Sequence, residues 1–153
     1  MKAVSNPDRI SDAKALQAVI RHHAPRYIVN AAAYTAVDKA EQEPDLAQAI
    51  NAIAPGIMAA EAKSLGATMV HYSTDYVFDG SKASPYEVTD ARNPLGVYGK
   101  SKAAGEEVIE HAFQSKQQLA PEMNGAELKA QYAIFRTSWV YGEGGNFIRT
   151  ILR

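Results

Sequence analysis

At 153 residues the chain is long enough for one domain with a core of its own. Its net charge of −1 leaves no basic face for nucleic acid and no acidic tail. The lack of cysteine excludes disulfides and thiolate metal sites and agrees with a cytoplasmic setting. No apolar run is long enough to cross a membrane, and MKAVSNPDRISD at the start has no apolar leader core. The histidines, His22, His23, His71 and His111, lack metal-ligand spacing and read as scattered surface or core residues.

Residues 1–10 read as a loop. Ser11 is a candidate N-cap for a helix whose apolar stripe is Leu16, Val19 and Ile20, and Pro25 ends it. Tyr27, Ile28 and Val29 form a short strand running into Asn30–Ala33; its apolar character predicts a strand buried between neighbours. A helical region over 36–65 is interrupted at Pro44 and Pro55 and stopped by Gly66. Ala67–Tyr72 is a second strand, and 79–92 is polar and turn-rich. Asn93 and Pro94 start a helix carrying Tyr98 and Lys102, 114–130 is a polar connection, and Tyr132–Arg136 is a third strand. GGNFIRTILR opens a last helix. Alternating helices and apolar strands give an α/β domain with a parallel sheet, whose ligands belong beyond the carboxyl ends of the strands. Those ends are Asn30–Thr35, Ser73–Asp75 and Thr137–Tyr141.

Tyr98 and Lys102 stand four apart and so share one helix face, while Thr74 lies at a strand end. An ammonium beside a phenol lowers its pKa from about 10, so the pair can exchange a proton with a substrate oxygen near neutral pH. A bare YxxxK is more often a surface helix, and the flanking residues decide the matter. Asn51, in mid-helix, suggests a relay or a backbone-satisfying side chain.

The blocks VNAAAYTAVDKAE, STDYVFDG, PLGVYGKSKAAGE and FRTSWVYG, in this order, resemble the extended short-chain dehydrogenase/reductases, and among them the dTDP-4-dehydrorhamnose reductases. The resemblance implies a Rossmann-like, doubly wound sheet that binds NADPH or NADH and reduces the 4-keto group of a dTDP-linked 6-deoxyhexulose to dTDP-L-rhamnose. It gives Tyr98 the role of proton donor, Thr74 that of polarising the carbonyl, and Lys102 that of holding the nicotinamide ribose. Ala33, Tyr34, Thr35 and Tyr72 match cofactor contacts of the family. Asp75 and Trp139 match substrate contacts, with a turn cap and a core anchor as the respective alternatives. A dTDP-sugar is the implied partner, with neither nucleic acid nor membrane, and a homodimer stays open.

The resemblance has gaps. The glycine-rich strand–turn–helix that opens such domains is not found, and Gly142, Gly144 and Gly145 come too late for it. The family's C-terminal sugar-nucleotide domain is not found either. Residues 1–153 are therefore expected to be the second half of a dinucleotide-binding domain, binding cofactor weakly by itself and prone to associate along Tyr27–Ala31. Gly96 stands where relatives often carry Asn, which weakens the helix start. A non-catalytic protein of the same fold, similar to the regulatory subunit of methionine adenosyltransferase around STDYVFDG, is the alternative function. RTSWVYG and the Thr–Tyr–Lys set favour the reductase; an epimerase or dehydratase is disfavoured because Tyr76, not a further acid, follows Asp75.

Overall fold

The structure, a computed structural model, describes residues 10–114 and 130–138. Of the stretch 1–10 read as a loop only Ile10 is described, and it is helical and buried; residues 115–129, Trp139, Tyr141 and the stretch read as a last helix lie outside the described residues.

Three parallel strands stand in the order β1 (Tyr27–Asn30), β2 (Thr68–Thr74), β3 (Tyr132–Thr137). The register sets Val29 opposite Val70, Asn30 opposite His71, and Thr74 opposite Thr137. β2 runs two residues further than its apolar stretch predicts, which puts Ser73 and Thr74 on the strand. Among the described residues β1 is an edge and not the enclosed strand its composition predicts, with Tyr27 and Val29 exposed. Tyr72 and Phe135 are also exposed, against each other.

Helix α1 (Ala13–His23) is capped by Asp12, not Ser11: the Asp12 carboxylate accepts from the N–H groups of Lys14 and Ala15. Ala24, left-handed at φ 39°, closes it ahead of Pro25. Short helices α2 (Val37–Ala40) and α3 (Pro44–Gln48) follow; Pro44 starts a helix at its first turn, where no N–H is needed. Pro55 does not interrupt. A π-helical turn, Ala49–Ile53, runs directly into α4 (Ala54–Leu65), and the Ala54 N–H bonds the Ala49 carbonyl five residues back. Gly66 ends α4 in the left-handed conformation. Leu16 and Ile20 of α1, Met58 of α4, Met69 of β2 and Ile109 of α5 (Val97–Gln114) share the core.

The start of α5 differs from the expected Asn93 cap. Asn93 bonds the Asp79 carboxylate instead, and the helix opens at Val97, whose N–H is met by Glu41 Oε1 at 2.7 Å. A carboxylate there opposes the positive end of the helix dipole. Gly96 has no side chain to cap with, and Glu41 supplies the acceptor from across the chain.

Candidate active site

Tyr98 in the first turn of α5 lies at the end of β2, where the Thr74 hydroxyl acts on its phenol. Thr74 Oγ1 also accepts from the Tyr76 N–H (3.2 Å) and donates to Asp75 Oδ1 (3.1 Å). It is thus Thr74, not Asp75, that caps the short 3-10 turn Asp75–Val77, and Asp75 is left exposed beside it. The ring of Tyr98 meets Tyr76 edge-on. Burial pushes the Tyr98 phenol above its ordinary value, with Thr74 opposing, so the depressed phenol expected from a neighbouring ammonium is not found.

Lys102, one turn along α5, explains the difference. It is 1% exposed, which excludes a solvated lysine. Its Nζ donates to the Tyr72 carbonyl at 2.7 Å and stands 3.3 Å from His71 Nε2, so β2 anchors the amine. Burial lowers its pKa to about 8, with Glu106 opposing. His71, fully buried, is turned the other way onto Asn30, and burial followed by Lys102 lowers it to about 3.

Asn51 belongs to this assembly although no motif marks it. At the centre of the π-helical turn and fully buried, it accepts the Tyr34 N–H (2.8 Å) and donates to the Tyr34 carbonyl (3.0 Å) and to Ser101 Oγ (3.0 Å). Ser101 in turn donates to the Tyr98 carbonyl. One amide therefore ties the loop after β1 to the helix turn that carries Tyr98. Two glycines allow it. A Cβ on Gly105 would lie 2.1 Å from the Asn51 carbonyl oxygen, and one on Gly99 2.3 Å from that of Tyr76.

Of the remaining sequence-derived residues, Ala33 and Tyr34 are half-buried and Thr35 is exposed on the loop after β1, and Tyr72 is exposed on β2. The Tyr34 phenol donates to Glu43 at 2.6 Å. Trp139 lies outside the described residues. Thr74, Tyr98 and Lys102 share one corner of the sheet and helix. His71, one of four histidines without metal-ligand spacing, stands three residues before Thr74 on a buried strand, and that position was the available signal.

Behind the site, Glu106 is fully buried and takes Arg136 from β3 (2.7 Å) and Arg92 from the polar loop (2.8 Å), while Arg92 also reaches Glu110. Burial alone would raise this carboxyl, but the two guanidinium groups outweigh it and hold it below its usual range. Arg136 lies over the Phe78 ring, which stacks on Tyr86. The loop over 79–92 is thereby fastened to the sheet.

A parallel sheet carrying a hydroxyl, a phenol and a lysine at one corner is the fold of the Rossmann-like reductases. The family described as RmlD substrate binding domain matches residues 2–153, and the chain belongs to it. The dTDP-4-dehydrorhamnose reductase of Salmonella typhimurium is 48% identical over 144 residues, 94% of this chain and 43% of that protein. The crystal structure of a dTDP-4-dehydrorhamnose reductase from Clostridium acetobutylicum superposes with a TM-score of 0.78 at 40% identity, over 94% of this chain and 45% of that one. The enzyme of the same name from Bacillus anthracis, solved in complex with NADP, gives 0.77 at 37% identity over 94% and 46%. The chain thus spans less than half the length of these relatives.

Proposed function

We propose that this chain supplies the catalytic corner of an NAD(P)H-dependent reductase acting on the 4-keto group of dTDP-4-dehydro-6-deoxy-L-mannose, and that residues 1–153 form part of its dinucleotide-binding domain. The observation that carries this is the corner where β2 ends in Thr74 and α5 begins with Tyr98, with the buried Lys102 one turn further on the same helix. Support for the substrate comes from relatives of that name at 40% identity and above.

A nicotinamide nucleotide fits the residues present. The backbone at Tyr34 is held at both N–H and carbonyl by Asn51, beside the small side chains Ala32 and Ala33, so a flat ligand meets a rigid, low wall. The nicotinamide would supply the hydride. The chain's own share is proton handling and orientation. Thr74 holds the carbonyl oxygen by a hydrogen bond, Tyr98 Oη delivers the proton to it, and Lys102 holds the ribose hydroxyls. A phenol raised by burial stays protonated at neutral pH, the state a donor requires. Asp75 and Trp139 are proposed as substrate contacts, and Ala33, Tyr34, Thr35 and Tyr72 as cofactor contacts. The non-catalytic alternative has no observation in its favour.

The test is to graft residues 1–153 onto the remainder of the Salmonella typhimurium relative and follow hydride transfer to the 4-keto sugar nucleotide. Tyr98→Phe should lower turnover about 10²–10⁴-fold with little change in cofactor affinity. A Phe variant with near-normal turnover overturns the assignment.

A further inference from the structure

Under Lys102 lies a row of three buried groups, one on each of β1, β2 and α5. Asn30 is 3% exposed, His71 0% and Lys102 1%. Asn30 Nδ2 lies 2.9 Å from His71 Nδ1, and His71 Nε2 lies 3.3 Å from Lys102 Nζ. The hydrogens follow from the partners. The Ala32 N–H donates to Asn30 Oδ1, which fixes the amide and turns its NH₂ toward the ring. An NH₂ only donates, so Nδ1 must be the bare, accepting nitrogen. A neutral imidazole then carries its proton on Nε2, pointing at the lysine. Facing an ammonium, that N–H meets another donor; facing a neutral amine, it meets a lone pair. The reverse tautomer needs the amide turned over, which sets its NH₂ against the Ala32 N–H in a buried place and leaves both donors unmatched.

We propose that His71, locked by Asn30 as the Nε2–H tautomer, is the positioning residue that favours the neutral amine of Lys102 over its ammonium. A new acceptor at the amine, such as a ribose hydroxyl or the phenolate left on Tyr98, then shifts the balance further toward the ammonium. The surroundings leave this balance to the row itself. From α5, Glu106 favours the charged forms of both His71 and Lys102, but Arg136 from β3 and Arg92 already claim it; β1 presents only the Asn30 amide, and β2 adds the Tyr72 carbonyl.

For turnover the inference rests on the proposed reductase reading; its direct test does not. In the 153-residue chain labelled with ¹⁵N and ¹³C, the ring nitrogens of His71 report the tautomer and the Lys102 Cε and Nζ signals report its titration. The expected result is Nε2–H from pH 5 to 8, and a protonated Nδ1 in the wild type overturns the proposal. In His71→Phe the opposing donor is gone while burial is kept, so the Lys102 midpoint should rise by about one pH unit or more. A midpoint that stays or falls means that His71 had been accepting from the ammonium or merely packing, and refutes it. The tautomer measurement needs no variant, so a poorly folded His71→Phe leaves the question decidable. Should the graft above fail to reduce the sugar nucleotide while the tautomer and midpoint behave as stated, it is the reductase reading that fails.

Discussion

Placing a methyl group on Gly105 tests how α5 is seated. Its Cβ would stand 2.1 Å from the Asn51 oxygen and 3.3 Å from the Asn51 carbonyl carbon, both backbone atoms. Ordinary carbon–oxygen contact is about 3.3 Å, so the overlap is about 1.2 Å and no rotamer relieves it. α5 must back away by about that much, enough to break the 3.0 Å bond between Asn51 and Ser101. Overpacking costs about 1–3 kcal/mol and an unmatched buried amide another 1–3, against about 1 gained from helix propensity. The net loss for Gly105→Ala is about 1–5 kcal/mol, which for a domain of this size lowers Tm by about 2–20 °C. Gly56→Ala is the control: its Cβ would meet only the Val108 side chain, at 3.3 Å, which is partly exposed and able to turn. The same exchange there should be neutral or stabilising. Circular dichroism at 222 nm against temperature reads both. A Gly105→Ala chain melting within a degree or two of the wild type would show that α5 does not rest on the Asn51 carbonyl.

Glu41→Ala should cost about 1 kcal/mol in urea unfolding by uncapping α5, and adding Gly96→Asn should restore most of it, because the side chain then caps from the neighbouring position. Glu106→Gln should cost about 3 kcal/mol at pH 7, the low end for a broken buried pair because both arginine side chains keep 20% exposure; an equal stability would make the pair ornamental. As His71 is held near pKa 3 when folded, against about 6.5 when unfolded, the unfolded chain takes the proton first as pH falls. Stability should therefore decline below pH 6.5 by up to about 1.4 kcal/mol per unit, and His71→Phe should flatten that slope between pH 6.5 and 5.

The elements whose signals are local were legible in the sequence. Gly66 ends α4, Pro25 follows α1, the three strands lie where their apolar runs fall, and Tyr98 and Lys102 stand one turn apart on α5 as their spacing implied. What was not legible depends on partners distant in the chain. The cap of α5 sits 56 residues away in Glu41, and Pro55 ends no helix because the preceding turn is already widened to five-residue bonding. The expectation for Tyr98 failed on the same ground. A YxxxK pattern fixes that the two side chains share a face, but the Tyr72 carbonyl and His71, on β2, decide where the amine goes.

The shape of this site is set by backbone more than by its reactive side chains. Pro55 has no N–H to give the Asn51 carbonyl, as an uninterrupted α-helix would require, and the π-helical turn is the local answer. That turn leaves the Asn51 oxygen directed at α5, where only a glycine lets the helix approach, and it aims the Asn51 amide at Tyr34 and Ser101. Gly99 performs the same service against the Tyr76 carbonyl on another side of α5. Ser101 and Lys102 lie between these two contacts, and Tyr98 adjoins the first. A helix seated on backbone at two points cannot slide without collision at one of them, so the phenol stays at the end of β2 and the amine on β2. Small residues at 99 and 105 therefore contribute to any proton chemistry at Tyr98 without touching a reacting atom.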